Sequence, residues 1–109
     1  MGDPLHAVTT PHFDVVFMLG GGDDPETVAN VDAEVTLRDG SRWSATFLTM
    51  EEIARILERW SITGESLGGR YFHCPDLVII RDPGVPAMVG VLREIFDKGE
   101  LPLLLSKLE

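Results

Sequence analysis

From Val31 onward the chain alternates. Val31, Ala33, Val35 and Leu37 interleave with Asp32, Glu34, Thr36 and Arg38. Trp43, Ala45 and Phe47 then interleave with Arg42, Ser44 and Thr46. A period of two marks strands with one buried and one polar face. For both apolar sets to share that face, the connecting loop must hold an odd number of residues. A loop of Arg38, Asp39 and Gly40 meets this, with glycine at the left-handed third position of a bulged hairpin. The register then pairs Val35 with Trp43 and Val31 with Phe47, leaving Asp32, Glu34, Thr36, Ser44 and Thr46 on the polar side.

The period changes at Thr49. "TMEE" is a capping box that opens a helix, with Met50, Ile53, Ala54, Leu57 and Trp60 on one stripe and Glu51–Arg55 as an i,i+4 pair. "TGE" ends that helix. In "LGGRYFHCPDLVIIRD", residues 67–82, Pro75 and Asp76 suit the centre of a turn from Cys74 to Leu77. This predicts a second antiparallel hairpin between "RYFH" and "LVII". Asp82, Pro83 and Pro86 start a second helix with Val85, Met88, Val89, Leu92, Ile95 and Phe96 inward and Gly99 as its stop.

Two flanks complete the chain. "FDVVFML" at 13–19 reads as a strand, followed by a glycine-rich loop in which Asp24 can cap one helical turn opened by Pro25. Residues 1–11 are expected to form a mobile arm. Leu101, Leu103, Leu104, Leu105 and Leu108 make an apolar tail that either closes the core or joins a second copy as a homodimer. The order is strand, hairpin, helix, hairpin, helix, tail. It predicts one α+β domain over residues 1–109, with a mainly antiparallel sheet and both helices on one face.

Composition agrees with that domain. The chain has 109 residues, 44% hydrophobic and 25% charged, with one cysteine. A single cysteine forms no internal disulfide, which suits a cytoplasmic protein. Neither a signal peptide nor a membrane span is expected, because the longest aliphatic runs are "LVII" and "LLL".

Charge changes the picture more. The net charge of −9 is uneven: residues 1–37 hold seven acids and no Lys or Arg. Such a face disfavours nucleic acid and anionic membranes and favours a basic protein partner.

The candidate chemistry is sparse. His73 and Cys74 are strand neighbours and point to opposite sides, so they do not share a metal, and no metal or cofactor is expected. Cys74 beside Asp76 lacks the electropositive setting that activates a thiol. "LGGG" matches no phosphate-binding pattern, because no "GK[ST]" follows. Trp43 and Trp60 fit the apolar stripes.

"TLRDGSRWSATFLTMEEI" followed by "TGESLGGRYFHCPDLVIIRD" resembles a family of small uncharacterised bacterial proteins. In these, a DG-turn hairpin leads into a capped helix and then a "YF-x-C-x-D-[LM]-V-I" hairpin. The resemblance covers about residues 35–98 and carries no catalytic residues. Its general character is similar to immunity proteins that neutralise toxins. The resulting expectation is a non-catalytic, immunity- or inhibitor-like binding module. Its contact surface would be Asp23, Asp24, Glu26, Asp32 and Glu34, with Tyr71, His73 and Asp76. The alternatives are a small enzyme using His73 with nearby carboxylates, and a self-associating structural subunit.

Overall fold

A computed structural model describes residues 5–108. Its strands are β1 (Leu5–Thr9), β2 (Phe13–Met18), β3 (Asn30–Leu37), β4 (Arg42–Thr49), β5 (Leu77–Ile80) and β6 (Ser106–Leu108). Its helices are α1 (Met50–Thr63), α2 (Glu65–Gly69), α3 (Val85–Asp97) and α4 (Leu101–Leu104). The fold is α+β. A mainly antiparallel sheet runs β1-β2-β3-β4-β5, and β6 also pairs with β4.

The central hairpin follows the alternation. Val31 lies opposite Phe47 and Val35 opposite Trp43, and Gly40 takes a positive φ of 87° in the three-residue loop. The inner face of this hairpin joins Phe13, Val15 and Phe17 of β2 in the core. Val85, Met88, Leu92 and Ile95 of α3 close it from the other side, with Leu101 and Leu105 below.

Three expectations change. Within the expected arm over residues 1–11, Leu5–Thr9 is instead a strand paired antiparallel to β2; residues 1–4 lie outside the described region. The hairpin that joins it is held by Thr10, whose hydroxyl accepts from the Phe13 N–H and donates to the Phe13 carbonyl. A five-residue segment shows too little alternation to be read as a strand without that partner.

The second hairpin does not form. Residues 70–76 are coil, and β5 pairs parallel to β4, Thr46 to Thr49 against Leu77 to Ile80. Parallel pairing needs a crossover, and α1, α2 and the coil supply it. Phe72 stacks on Trp60 with ring centroids 5.6 Å apart, which holds "RYFH" against α1 rather than beside "LVII". The turn at Pro75 and Asp76 survives, with the Leu77 N–H bonded to the Cys74 carbonyl at 3.3 Å.

The first helix also sits differently. Thr49 caps α1 by accepting from the Glu52 N–H at 3.1 Å. The reciprocal half of the box is missing, because the Thr49 N–H already serves the Ala29 carbonyl and the Glu52 carboxylate turns to Arg55. Ile56 is the buried residue of the helix, while Met50 is 66% exposed. Neither Ile56 nor Leu48 belongs to the main core. Leu48 follows Phe47 in β4 and therefore points through the opposite side of the sheet. So α3 and α4 cover the inner face, and α1 packs on β4 at one end of the outer face.

Candidate functional site

The outer face of the sheet carries the polar set of each strand. Cross-strand registers place Asp14 beside Thr36, Asp32 beside Thr46, and Glu34 beside Ser44. Arg42 joins Glu34 at 3.4 Å, and Arg38 grips Asp14 at 3.2 Å from the hairpin loop. Arg38 also donates to the Thr10 carbonyl at 2.6 Å, so its guanidinium is tied to the neighbouring turn. That hydrogen bond to Arg38 holds the Asp14 carboxyl below its ordinary value.

Asp76 completes the face from outside the antiparallel part. β5 and β6 lie end to end along the same side of β4, one beside Thr46 to Thr49 and the other beside Arg42 to Ser44. Asp76 precedes β5 at the joint between them. It accepts from the Ser44 hydroxyl at 2.6 Å, the Thr46 hydroxyl at 2.9 Å and the Cys74 thiol at 3.0 Å. Its backbone carbonyl accepts from the Thr46 N–H at 2.9 Å. Burial pushes this carboxyl up, but the hydrogen bonds from Cys74, Ser44 and Thr46 outweigh it and hold the group below its ordinary value.

The Thr46 hydroxyl also lies 3.0 Å from the Asp32 carboxylate. One hydroxyl has one proton, so it serves Asp32 or Asp76 but not both at once. Asp76 keeps its Ser44 and Cys74 donors either way, so when Thr46 serves Asp76 the exposed Asp32 carboxylate is left as an open acceptor. That is suited to an incoming cation.

The expected contact residues fall into three groups. Asp32, Glu34 and Asp76 share the outer face. Asp23 and Asp24 line an adjoining cleft of about 340 Å³ with Asn30, Glu52 and Arg55, and Asn30 begins the strand that carries Asp32 and Glu34. Both also hold their own loop: Asp23 accepts from the Gly20 N–H at 2.8 Å and Asp24 from the Glu26 N–H at 2.9 Å. Glu26 is exposed in the same loop. The carbonyls of Pro25 and Val28 there accept from the Val85 and Gly84 N–H groups, satisfying donors at the start of α3. Tyr71 and His73 stand exposed on the coil between α2 and β5.

Sequence reasoning missed an apolar border. Leu5 and Met18 lie opposite each other on the outer face and are 53% and 46% exposed. Met18 shares its parity with Asp14 and Val16, a signal present in "FDVVFM" once its inner residues are known.

Reactive chemistry is weakly furnished here. Burial and the neighbouring Asp76 carboxylate push the Cys74 thiol up, away from the thiolate. Among the described residues, no three His, Cys, Asp or Glu side chains gather as metal ligands would. No described helix is long and apolar enough to cross a membrane. Comparisons with protein-family models, curated proteins and solved structures each returned no match.

Proposed function

We propose that this chain is a non-catalytic protein-binding module, immunity- or inhibitor-like, that docks its acidic outer sheet face on a basic protein. The observation that carries the reading is the open sheet face itself. Both α3 and α4 lie on the inner side, α1 reaches only the Leu48 end, and Asp32 and Glu34 of β3 remain on that face with Asp76 ahead of β5. The Asp23 and Asp24 cleft extends the same sign of charge toward α1. Leu5 and Met18 add apolar area at the border, where a steered partner would bury it.

Acidic steering acts on the rate of encounter more than on its lifetime. The test begins with a cytoplasmic extract of the source cell, passed over the immobilised chain, and identification of stoichiometric partners by mass spectrometry. Association of the purified partner is then followed by surface plasmon resonance at rising salt. The expected partner is basic, and its on-rate falls as salt screens charges beyond about 8 Å. Neutralising Asp23, Asp24, Glu26, Asp32 and Glu34 together should slow association roughly tenfold or more and flatten the salt dependence. An on-rate indifferent to both changes would overturn the reading.

A further inference from the structure

One row of residues crosses the outer face from its edge toward its middle. Leu5, Met18, Asp32 and Thr46 stand side by side on β1, β2, β3 and β4. Residues opposite each other on neighbouring strands hold their Cβ atoms about 4.5–5.5 Å apart, so Met18 and Asp32 are immediate neighbours. Both are exposed.

The other acids of this face are already engaged. Arg38 holds Asp14, Arg42 holds Glu34, and the Ser44 hydroxyl and Cys74 thiol donate to Asp76. Among the described residues, the Asp32 carboxylate meets the Thr46 hydroxyl alone. That hydroxyl reaches Asp76 equally well, so turning its proton there frees both Asp32 oxygens without costing Thr46 a hydrogen bond.

The pairing of one open carboxylate with one exposed apolar chain selects its cation. A calcium or magnesium ion wants several oxygen ligands, which a carboxylate beside a thioether does not supply. A long side chain with an aliphatic stem and a charged head uses both neighbours. Its stem covers Met18, and its head meets Asp32 one strand spacing, about 4.8 Å, further on. Arginine suits the place better than lysine. Its planar fork takes both oxygens of a carboxylate, and its weaker hydration lets it lie on apolar surface.

We propose that Asp32 and Met18 are the seat for a single arginine side chain of the basic protein, an inference that rests on the docking face proposed above. The stem lies on Met18 and the guanidinium on Asp32, while Thr46 turns its proton to Asp76.

The test is a titration of the isotope-labelled full chain at low salt, followed by NMR at the backbone amides and methionine methyls. Butylguanidinium reproduces the arginine side chain, guanidinium lacks the stem, and butylurea lacks the charge. Butylguanidinium should shift the Asp32 amide and the Met18 methyl saturably. It should bind roughly fourfold more tightly than guanidinium, the gain from about one methylene leaving water. Butylurea should not saturate. Asp32→Asn should weaken butylguanidinium roughly threefold or more, and Met18→Thr should reduce it to the guanidinium value. Asp14→Asn should leave it unchanged, because Arg38 already occupies that carboxylate. Shifts spread evenly over the acidic residues overturn the proposal. So do equal affinities for butylguanidinium and guanidinium, or a folded Asp32→Asn chain that binds like the wild type. Salt-dependent capture of a whole partner would survive those outcomes, since steering by several acids needs no seat for one arginine. An on-rate indifferent to charge would remove the steered partner and leave the seat measurable, so the two readings fail separately.

Discussion

Asp76 joins pieces of chain that no local signal connects, accepting from Ser44 and Thr46 of β4 as well as from its neighbour Cys74. Asp76→Ala leaves the half-buried Ser44 hydroxyl without this acceptor and Thr46 with Asp32 alone, and should lower stability by about 1–3 kcal/mol in urea unfolding. Its folded pKa lies below the unfolded one, so the ionised group stabilises the fold at pH above the ordinary carboxylate value of about 3.9. That contribution is lost as pH falls through the lowered folded value. The stability difference between wild type and Asp76→Ala should therefore shrink on acidification, and a constant difference would remove Asp76 from this role. Cys74 titrates in the other sense. Burial raises its pKa, so its contribution is complete below the unfolded thiol value of about 8.5 and fades as pH rises toward the folded one. Alkylation by iodoacetamide at neutral pH should be slower than that of a free thiol. Fast, selective alkylation would point to an activated thiolate.

Between α1 and the coil the backbone makes one left-handed turn. Ser66, Leu67, Gly68 and Gly69 all have positive φ, from 50° to 79°. Glycine accepts this readily, whereas serine and leucine each bear roughly 1–2 kcal/mol of strain. Packing enforces the turn: a Cβ on Gly69 would lie 2.1 Å from the Leu57 carbonyl oxygen. Gly69→Ala should therefore destabilise the fold by about 2 kcal/mol or more. Leu67 is 75% exposed, so Leu67→Asn should raise stability by about 0.5–1 kcal/mol, and a loss there would show a contact beyond exposed packing. The tail divides by position. Leu101 and Leu105 are 2% and 5% exposed in the core, whereas Leu103 faces solvent. Leu101→Ala or Leu105→Ala should cost about 2–5 kcal/mol, and Leu103→Ala should stay within about 0.5 kcal/mol, both by chemical unfolding.

Taken whole, the molecule carries its charge unevenly, with seven acids and no Lys or Arg in residues 1–37. The acids gather on β2, β3 and the loop after β2, and that loop reaches the start of α3, where its Pro25 and Val28 carbonyls accept from the Val85 and Gly84 N–H groups. Raising salt should slow capture of a basic partner, because screening weakens attraction between exposed charges. A single preparation examined at two ionic strengths reads this response.

The elements whose signals are short-range were legible in the residues alone. Alternation and Gly40 determined the central hairpin and its register. Thr49 marked the start of α1, and the spacing from Val85 to Phe96 marked α3. The turn at Pro75 and Asp76 was equally local. What followed the turn was not. "LVII" has no polar alternation, as befits a strand in a parallel pair, but a run of four apolar residues does not name its neighbour. Its pairing depended on which side of β4 was still free after β3 had taken the other. The burial of Leu101 and Leu105 rather than Leu103, and the outer position of α1, likewise depended on where distant surfaces remained uncovered. Neighbouring residues along the chain decide periodicity, caps and turns. Which edges and faces meet is decided by the competition of segments far apart in sequence, and that is how Ser44, Thr46 and Asp76 came to share one carboxylate.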